Sequence, residues 1–310
     1  MRPLYSTKRG ILYNGDSANI LKEKCFYGFR HKINLIFTSP PFPLNRSKAY
    51  GNLNGQDYIE WLSGFGPIFE ELLAPDGSLV IELGNAWQIG SPTISLTSIQ
   101  SLIELKKKGN FHLCQEFIWN NTSKLPSPAQ WVNVERIRVK DAFTRLWWLS
   151  SKPRPKADNR RVLNEYSSSM KRLLKRKLYN SGNRPSEHKI GKQSFLKDNR
   201  GAIPSNVLSI PNTVSKDPYL TYCKEKGIKL NPSRMPLELA KFFILFLTDE
   251  SDIVLDPFAG SNVTGYVAEI CGRRWISVEI DEIYANSSRS RFNNSWIITQ
   301  KCMEQHLCKE

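Results

Sequence analysis

Cysteine is present but never paired in a metal-binding or disulfide pattern. Cys25, Cys114, Cys223, Cys271, Cys302 and Cys308 stand apart, with no CxxC among them. That spacing excludes a zinc ribbon and gives no disulfide framework, so the expected setting is reducing and cytoplasmic. The four histidines are isolated and add no metal pattern. No apolar run approaches the ~20 residues of a membrane-spanning helix, so no membrane role is expected. The start, Met1-Arg2-Pro3-Leu4-Tyr5-Ser6, lacks the apolar stretch of a signal peptide. GxGxxG is missing, and so is the GKS or GKT of a P-loop, so nothing reads as a cradle for pyrophosphate or triphosphate. Acidic residues are scarce: 29 Asp and Glu against 44 Lys and Arg leave a net charge of +15.

That positive charge is concentrated. Residues 151–230 hold 19 Lys and Arg against 6 Asp and Glu, close to the whole excess. A charge run of this kind can be no more than a solvated loop. Here Tyr and Phe interleave and the segment lies between two motif-bearing blocks, which favours a surface for a polyanion such as nucleic acid. With 310 residues and 40% hydrophobic content, the chain is long enough for one large α/β domain with a substantial insertion. No internal repeat or long low-complexity segment is present.

The first block, 1–150, alternates strand-like and helix-like pieces. Strands are predicted over Gly10–Tyr13, Ile33–Phe37 and Ser78–Ile81, and the Pro75-Asp76-Gly77 triplet predicts a turn. A helix is predicted over 57–73, interrupted near Gly64, Gly66 and Pro67. A second is predicted over 96–108, with Ile99, Leu102 and Ile103 on one side and Gly109 as its stop. Two aromatic strands, 113–119 and 142–149, complete the block. The basic block, 151–230, predicts loops and a short cationic helix over 171–179. The last block, 231–310, predicts a helix capped by Ser233, with Pro236 in its first turn and Leu237, Ala240, Ile244 and Leu247 on one face. Strand Ile253–Leu255, a glycine loop, a helix and strand Trp275–Val278 follow. That order is a βαβ unit, which implies parallel strands and a right-handed crossover.

Two motifs carry chemistry. In doubly wound sheets, ligands sit at the carboxyl ends of strands where strand order reverses. Asp256-Pro257-Phe258-Ala259-Gly260-Ser261-Asn262 follows such a strand. Gly260 permits close backbone approach, and Ser261, Asn262 and Thr264 offer polar groups. Glu279, 19 residues after Gly260, can accept both hydroxyls of a ribose. The alternative is an ordinary βα turn. A nucleoside without phosphates, such as S-adenosylmethionine, fits the loop better than a nucleotide. Asp16 follows another apolar run and reads either as an acceptor for an adenine amine or as a helix N-cap.

The other motif, Thr38-Ser39-Pro40-Pro41-Phe42, ends the strand Ile33–Phe37. An exocyclic base amine is a poor nucleophile because its lone pair is delocalised into the ring. Acceptors on its hydrogens help the nitrogen to pyramidalise. Ser39 offers a hydroxyl and Pro40 a carbonyl, and proline brings no competing N–H. Pro41 stiffens the segment, and Phe42 can stack on a base face. The target base must leave the duplex to reach such a pocket, so base flipping is implied. Elsewhere Ser-Pro-Pro is most often a linker or turn. Glu82, after Ser78–Ile81, reads either as a proton relay or as a structural partner of Ser39. No cysteine stands beside Pro-Pro, which argues for direct displacement without a covalent enzyme intermediate. Asn45-Arg46-Ser47-Lys48 reads as a solvated loop or as a grip on the backbone near the target base.

The two motifs together resemble the β-class DNA amino-methyltransferases of bacterial restriction–modification systems. The Ser-Pro-Pro-Phe form is similar to that of the cytosine-N4 members rather than the Asp-Pro-Pro-Tyr form of adenine-N6 members. Lys124-Leu125-Pro126-Ser127-Pro128, Arg138-Val139-Lys140-Asp141-Ala142 and Lys197-Asp198-Asn199 also look like stretches of a cytosine-N4 member. The resemblance spans about residues 10–285. It implies an α/β, Rossmann-like methyltransferase fold with a mixed, mostly parallel sheet. It implies a catalytic part (1–150), a smaller basic target-recognition region (151–230) and a cofactor-binding part (231–310). It implies S-adenosylmethionine as cofactor, contacted by Asp16, Asp256, Phe258, Gly260, Ser261, Asn262, Thr264 and Glu279. Asn231, Ser233 and Met235 match the segment that closes over the methionine end, and Ser39, Pro40, Pro41, Phe42 and Glu82 match the catalytic side. Asn262 stands where the commoner pattern has a second glycine. The expected partners are duplex DNA and, functionally, a cognate restriction endonuclease, with the chain working as a monomer or dimer.

Overall fold

The structure is a computed structural model that describes residues 2–43, 53–88, 90–213 and 217–292. The loop 45–48 lies outside the described residues. Among these, nine strands join one sheet: β1 (Tyr5–Ser6), β2 (Gly10–Asn14), β3 (Ile33–Thr38), β4 (Leu73–Leu83), β5 (His112–Asn120), β6 (Phe143–Ser150), β7 (Val207–Ser209), β8 (Ile253–Asp256) and β9 (Arg274–Glu279). Their order across the sheet is β1-β2-β9-β8-β3-β4-β6-β5-β7. β1 and β6 run against their neighbours, and every other adjacent pair is parallel. This is the mixed, mostly parallel α/β sheet that the resemblance implies, and β8 and β9 are the parallel pair expected of the βαβ unit.

The central strands read as continuous apolar runs because both of their faces are covered. Side chains alternate between faces. Ile36, Leu79, Ile81, Ile253 and Leu255 pack on one side with Tyr58, Leu62, Phe65, Phe69 and Leu105. Those come from α1 (Gly55–Ser63), α2 (Phe65–Leu72) and α3 (Thr97–Lys108). Leu35, Phe37, Val80 and Val254 face the other side, against Leu239, Phe243, Ile244, Tyr266 and Val267. After α4 (Pro218–Lys226), that second layer is built by α5 (Leu237–Leu247) and α6 (Val263–Ile270), and α7 (Glu282–Ser288) follows β9. No helix among the described residues is long and apolar enough to cross a membrane.

Several local expectations change on contact with tertiary structure. The helix predicted over 57–73 is two helices meeting at Gly64. Pro75-Asp76-Gly77 does not end a strand. Ile33 pairs with Leu73 and Leu35 with Ser78, so the triplet is extra length bulging from β4. In α3 the inward stripe is Ser98, Ser101, Leu102 and Leu105, while Ile99 and Ile103 face outward. The serines close their own hydroxyls onto backbone carbonyls, Ser98 onto Gly84 and Ser101 onto Thr97, and so they fit a tight i, i+3, i+4, i+7 face. Ser233 does not cap α5. Pro236 occupies the cap position without a side-chain bond. A cap contributes about 1 kcal/mol, whereas each fully buried aliphatic or aromatic side chain contributes about 1.5–3 kcal/mol. Leu239, Phe243, Ile244 and Leu247 are all buried, so packing holds this helix without one.

Residues 158–205 form a separate compact unit, narrower than the basic segment 151–230. It contains a helix, Ser168–Arg176, whose first turn is capped by Ser167 and which ends at Lys177 in the left-handed region. It also holds a two-stranded ladder, Gly182–Asn183 with Lys189–Ile190, and a Tyr179–Phe195 ring contact at 5.4 Å. Twelve Lys and Arg against four Asp and Glu lie within it.

Candidate active site

β3 and β8 lie side by side, with Leu35 opposite Val254 and Ile36 opposite Leu255. From β3 the chain moves to β4 on one side, and from β8 to β9 on the other. Strand order therefore reverses between them, the place where α/β sheets open a crevice. Both motifs leave the carboxyl ends of these two strands. They line one cavity of about 530 Å³, with Ser39, Pro40, Pro41 and Phe42 on one wall and Phe258, Gly260, Ser261 and Thr264 on another.

Asp256 ties the walls together. Its Oδ1 accepts from Thr38 Oγ1 at 2.7 Å and from the Phe258 amide at 3.1 Å, and its Oδ2 accepts from Thr264 Oγ1 at 2.7 Å. Burial pushes its pKa up, and the hydroxyl and amide donors oppose that shift. The carboxylate lines the cavity, but both oxygens already accept from protein groups. It joins the end of β3, the glycine loop and α6.

Gly260 sits at φ +52°, and a Cβ there would lie 2.4 Å from Asn231 Nδ2. The close approach brings the 231–235 segment onto the glycine loop, which only glycine permits. Asn231 Oδ1 accepts from the Ser233 amide at 2.9 Å, an Asx turn that sets the segment's course. Asn231, Ser233 and Met235 all line the cavity. Glu279 accepts the Gly260 amide at 2.5 Å and the Asp281 amide at 2.9 Å. Burial, with repulsion from Asp281 and Asp256, pushes its pKa up to about 7 against the pull of the two amides. Asp16 caps the turn Ser17–Ile20 by accepting the Ala18 amide, and the same exposed carboxylate lines the cavity. Its two sequence readings are therefore geometrically compatible.

Asn262 requires correction as a cavity contact. It is fully buried and absent from the cavity wall. Its Nδ2 donates to Tyr5 Oη at 2.9 Å, and its Oδ1 accepts from Ser277 Oγ at 2.7 Å and the Gly265 amide at 3.2 Å. Its φ is +53°, a region that asparagine tolerates better than most residues. The side chain replaces a glycine's freedom with a cap for α6 and a bridge to β1 and β9.

On the catalytic side, Thr38 pairs with Ile81, so the next residues, Ser39 and Glu82, come together. They are hydrogen-bonded, and burial pushes Glu82 up to about 7 against that bond and the attraction of Lys124. Glu82 stands behind Ser39 rather than on the cavity wall. Phe42 lies against Gly84, where a Cβ would come within 2.3 Å of its ring.

Other site residues carry no local sequence signal. Trp61 meets the Phe258 ring at 5.5 Å and, with Tyr58, adds an aromatic wall from α1. Arg234 is the one cation among the described wall residues, beside the carboxylates Asp16, Asp256 and Glu279. Fully buried Arg291 donates to both Asp217 oxygens at 2.8 and 2.7 Å and to the Ser261 carbonyl at 2.6 Å. It fastens the glycine loop to the start of α4. Carboxylates, one arginine and an aromatic wall around 530 Å³ suit a phosphate-free nucleoside with a charged tail, within the usual range of ligand pockets.

A family model described as DNA methylase, of the N6/N4 type, matches residues 33–290. The chain belongs to this DNA methylase family. The methylase is 44% identical over 302 residues to the type II methyltransferase M.PvuII of Proteus hauseri, across 97% of this chain and 88% of that one. Among solved structures, the PvuII DNA methyltransferase (cytosine-N4-specific) aligns with a TM-score of 0.76 at 38% identity, covering 98% of this chain and 93% of that one. A DNA modification methylase of Thermus thermophilus, solved with S-adenosyl-L-methionine, aligns with a TM-score of 0.55 at 19% identity over 91% and 92%. At that identity it shares the fold.

Proposed function

We propose that this methylase moves a methyl group from S-adenosylmethionine to the N4 amine of cytosine at a specific site in duplex DNA, as the modification enzyme of a type II restriction–modification system. One observation carries the reading. Ser39 and Gly260, more than two hundred residues apart, line a single cavity whose amine end has the Ser-Pro-Pro-Phe form. The 44% identity to M.PvuII over nearly the whole chain supports the base assignment.

When bound, S-adenosylmethionine supplies an electrophilic methyl on a cationic sulfur. Ser39 Oγ and the Pro40 carbonyl accept the amine hydrogens and favour a pyramidal nitrogen. The nitrogen lone pair forms the new bond to carbon, and the old carbon–sulfur pair stays on sulfur. Ser39 passes the released proton to Glu82, whose pKa near 7 suits it to accept a proton at neutral pH. Asp256, Gly260 and Glu279 shape the cofactor end, and Arg234 offers a counter-charge to a carboxylate. Phe42 stacks on the flipped base. The basic unit 158–205 serves target recognition. The cognate endonuclease is a functional partner and needs no contact with this chain.

The test is nucleoside analysis of duplex DNA treated with the enzyme and labelled S-adenosylmethionine. The expected product is 4-methylcytosine, and sequencing of the same DNA gives the site. Finding 6-methyladenine instead overturns the base assignment, and no label in DNA overturns the methyl-transfer reading.

A further inference from the structure

The loop 121–142, between β5 and β6, joins strand ends at the same edge of the sheet as Ser39. β6 begins at Phe143 and runs antiparallel to β4, with Arg145 opposite Leu83. Lys124, near the loop's root, attracts Glu82 electrostatically. The loop therefore rises from the catalytic end rather than from a remote surface.

It is held in shape by its own backbone. Asn121 and Ala142 close its base at 2.9 Å, the Asp141 amide donates to the Ser127 carbonyl at 3.1 Å, and the Glu135 amide donates to the Gln130 carbonyl at 2.8 Å. Arg138 bonds the Pro92 carbonyl at 2.5 Å and pairs with Asp141. A loop so fastened would be expected to bury its aliphatic side chains. Instead Leu125 is 78% exposed and Val139 85%, with Val134 and Ile137 also open to solvent. Leu125 and Val139 lie on neighbouring segments, since Lys140 Nζ donates to the Lys124 carbonyl at 3.3 Å. Around them stand Lys124, Arg136, Arg138 and Lys140 against Glu135 and Asp141, so the loop is positively charged.

Rigid aliphatic tips on a basic loop beside a catalytic pocket match the chemistry of a DNA wedge. The cations meet phosphates, and the apolar tip enters a base step that has been unstacked. We infer that Leu125 and Val139 enter the duplex at the target cytosine and hold open the place it vacates. The inference rests on the proposed transfer to a base in duplex DNA. A self-association surface is the competing use of these side chains, but the surrounding like charge opposes pairing of two copies.

The experiment uses the full chain carrying Leu125→Ser and Val139→Ser together, both surface changes. Single-turnover methylation is measured on a duplex containing the mapped site, and on the same duplex with the target cytosine mispaired. A mispaired base costs less to extrude. The expected result is a rate about 10- to 100-fold lower on the paired duplex, largely restored on the mispaired one, with unchanged S-adenosylmethionine affinity by dialysis. An unchanged rate on paired DNA overturns the inference, and so does an equal loss on both duplexes. A shift in sedimentation with unchanged rates identifies a contact between copies and also overturns it. If the unsubstituted enzyme methylates neither duplex, the reading of function has failed instead.

Discussion

Replacing Glu82 by glutamine separates two consequences of its burial. Glu82 is 4% exposed, and burial raises its pKa from 4.5 to about 7. The folded protein therefore keeps this proton over a range in which the unfolded chain has released it. The stabilising effect is complete below pH 4.5 and is lost as pH rises to about 7. At about 1.4 kcal/mol per pH unit, the loss totals about 3 kcal/mol. Glutamine does not titrate, so the difference in stability between Glu82→Gln and the wild type should shift by about that amount in the variant's favour between pH 4.5 and pH 8. Comparing the two proteins across pH cancels any constant cost of the amide itself. The assay is urea unfolding of both proteins at several pH values. In single-turnover methylation, the wild-type rate should rise with pH through about 7, whereas the variant stays flat and about 10²- to 10⁴-fold lower. A stability difference that does not change with pH would refute the burial argument. A variant that keeps the wild-type pH–rate profile would remove Glu82 from proton transfer.

Ser39→Ala should slow transfer about 100-fold or more while equilibrium dialysis shows near-normal S-adenosylmethionine affinity; unchanged turnover would take Ser39 out of the mechanism. Gly260→Ala places a methyl 2.4 Å from Asn231 Nδ2 on a backbone at φ +52°, so cofactor affinity should fall at least about tenfold, a loss of about 1.4 kcal/mol. Arg291→Met leaves Asp217 buried without its partner and should lower unfolding stability by about 3–5 kcal/mol. Adding Asp217→Asn to Arg291→Met should recover part of that loss in denaturant titration.

Legibility in the sequence tracks how local each cause is. The strands 33–38 and 253–256 are readable because burial on both faces writes an unbroken apolar run, and the loops that follow them carry short, dense motifs. That Ser39 meets Glu82, and that both motifs face one crevice, follows from parallel order at a reversal point. Side chains whose partners are remote leave no such trace. Asn262 reads as a cavity contact because it stands in the motif, yet Tyr5 and Ser277 claim its amide from two distant strands. Arg291 and Asp217 are 74 residues apart and share no pattern that pairs them. The inward face of α3 escapes a hydrophobicity pattern because serines at 98 and 101 are apolar by packing rather than by type. Ser233 has the chemistry of a cap, but the Asx turn at Asn231 takes its amide before the helix starts.

Of the described strands, the two latest in sequence, β8 and β9, lie between β2 and β3, two of the earliest. In the finished sheet β2 and β3 are three strand spacings apart, about 14 Å, so a polypeptide that stops short of Ile253 lacks both strands that join them. It already carries Ser39 and Glu82, but neither the loop around Gly260 nor the acid at 279. A chain stopped before Ile253 therefore lacks a wall of the cavity, and methylating competence waits on the synthesis of β8, β9 and the loop between them.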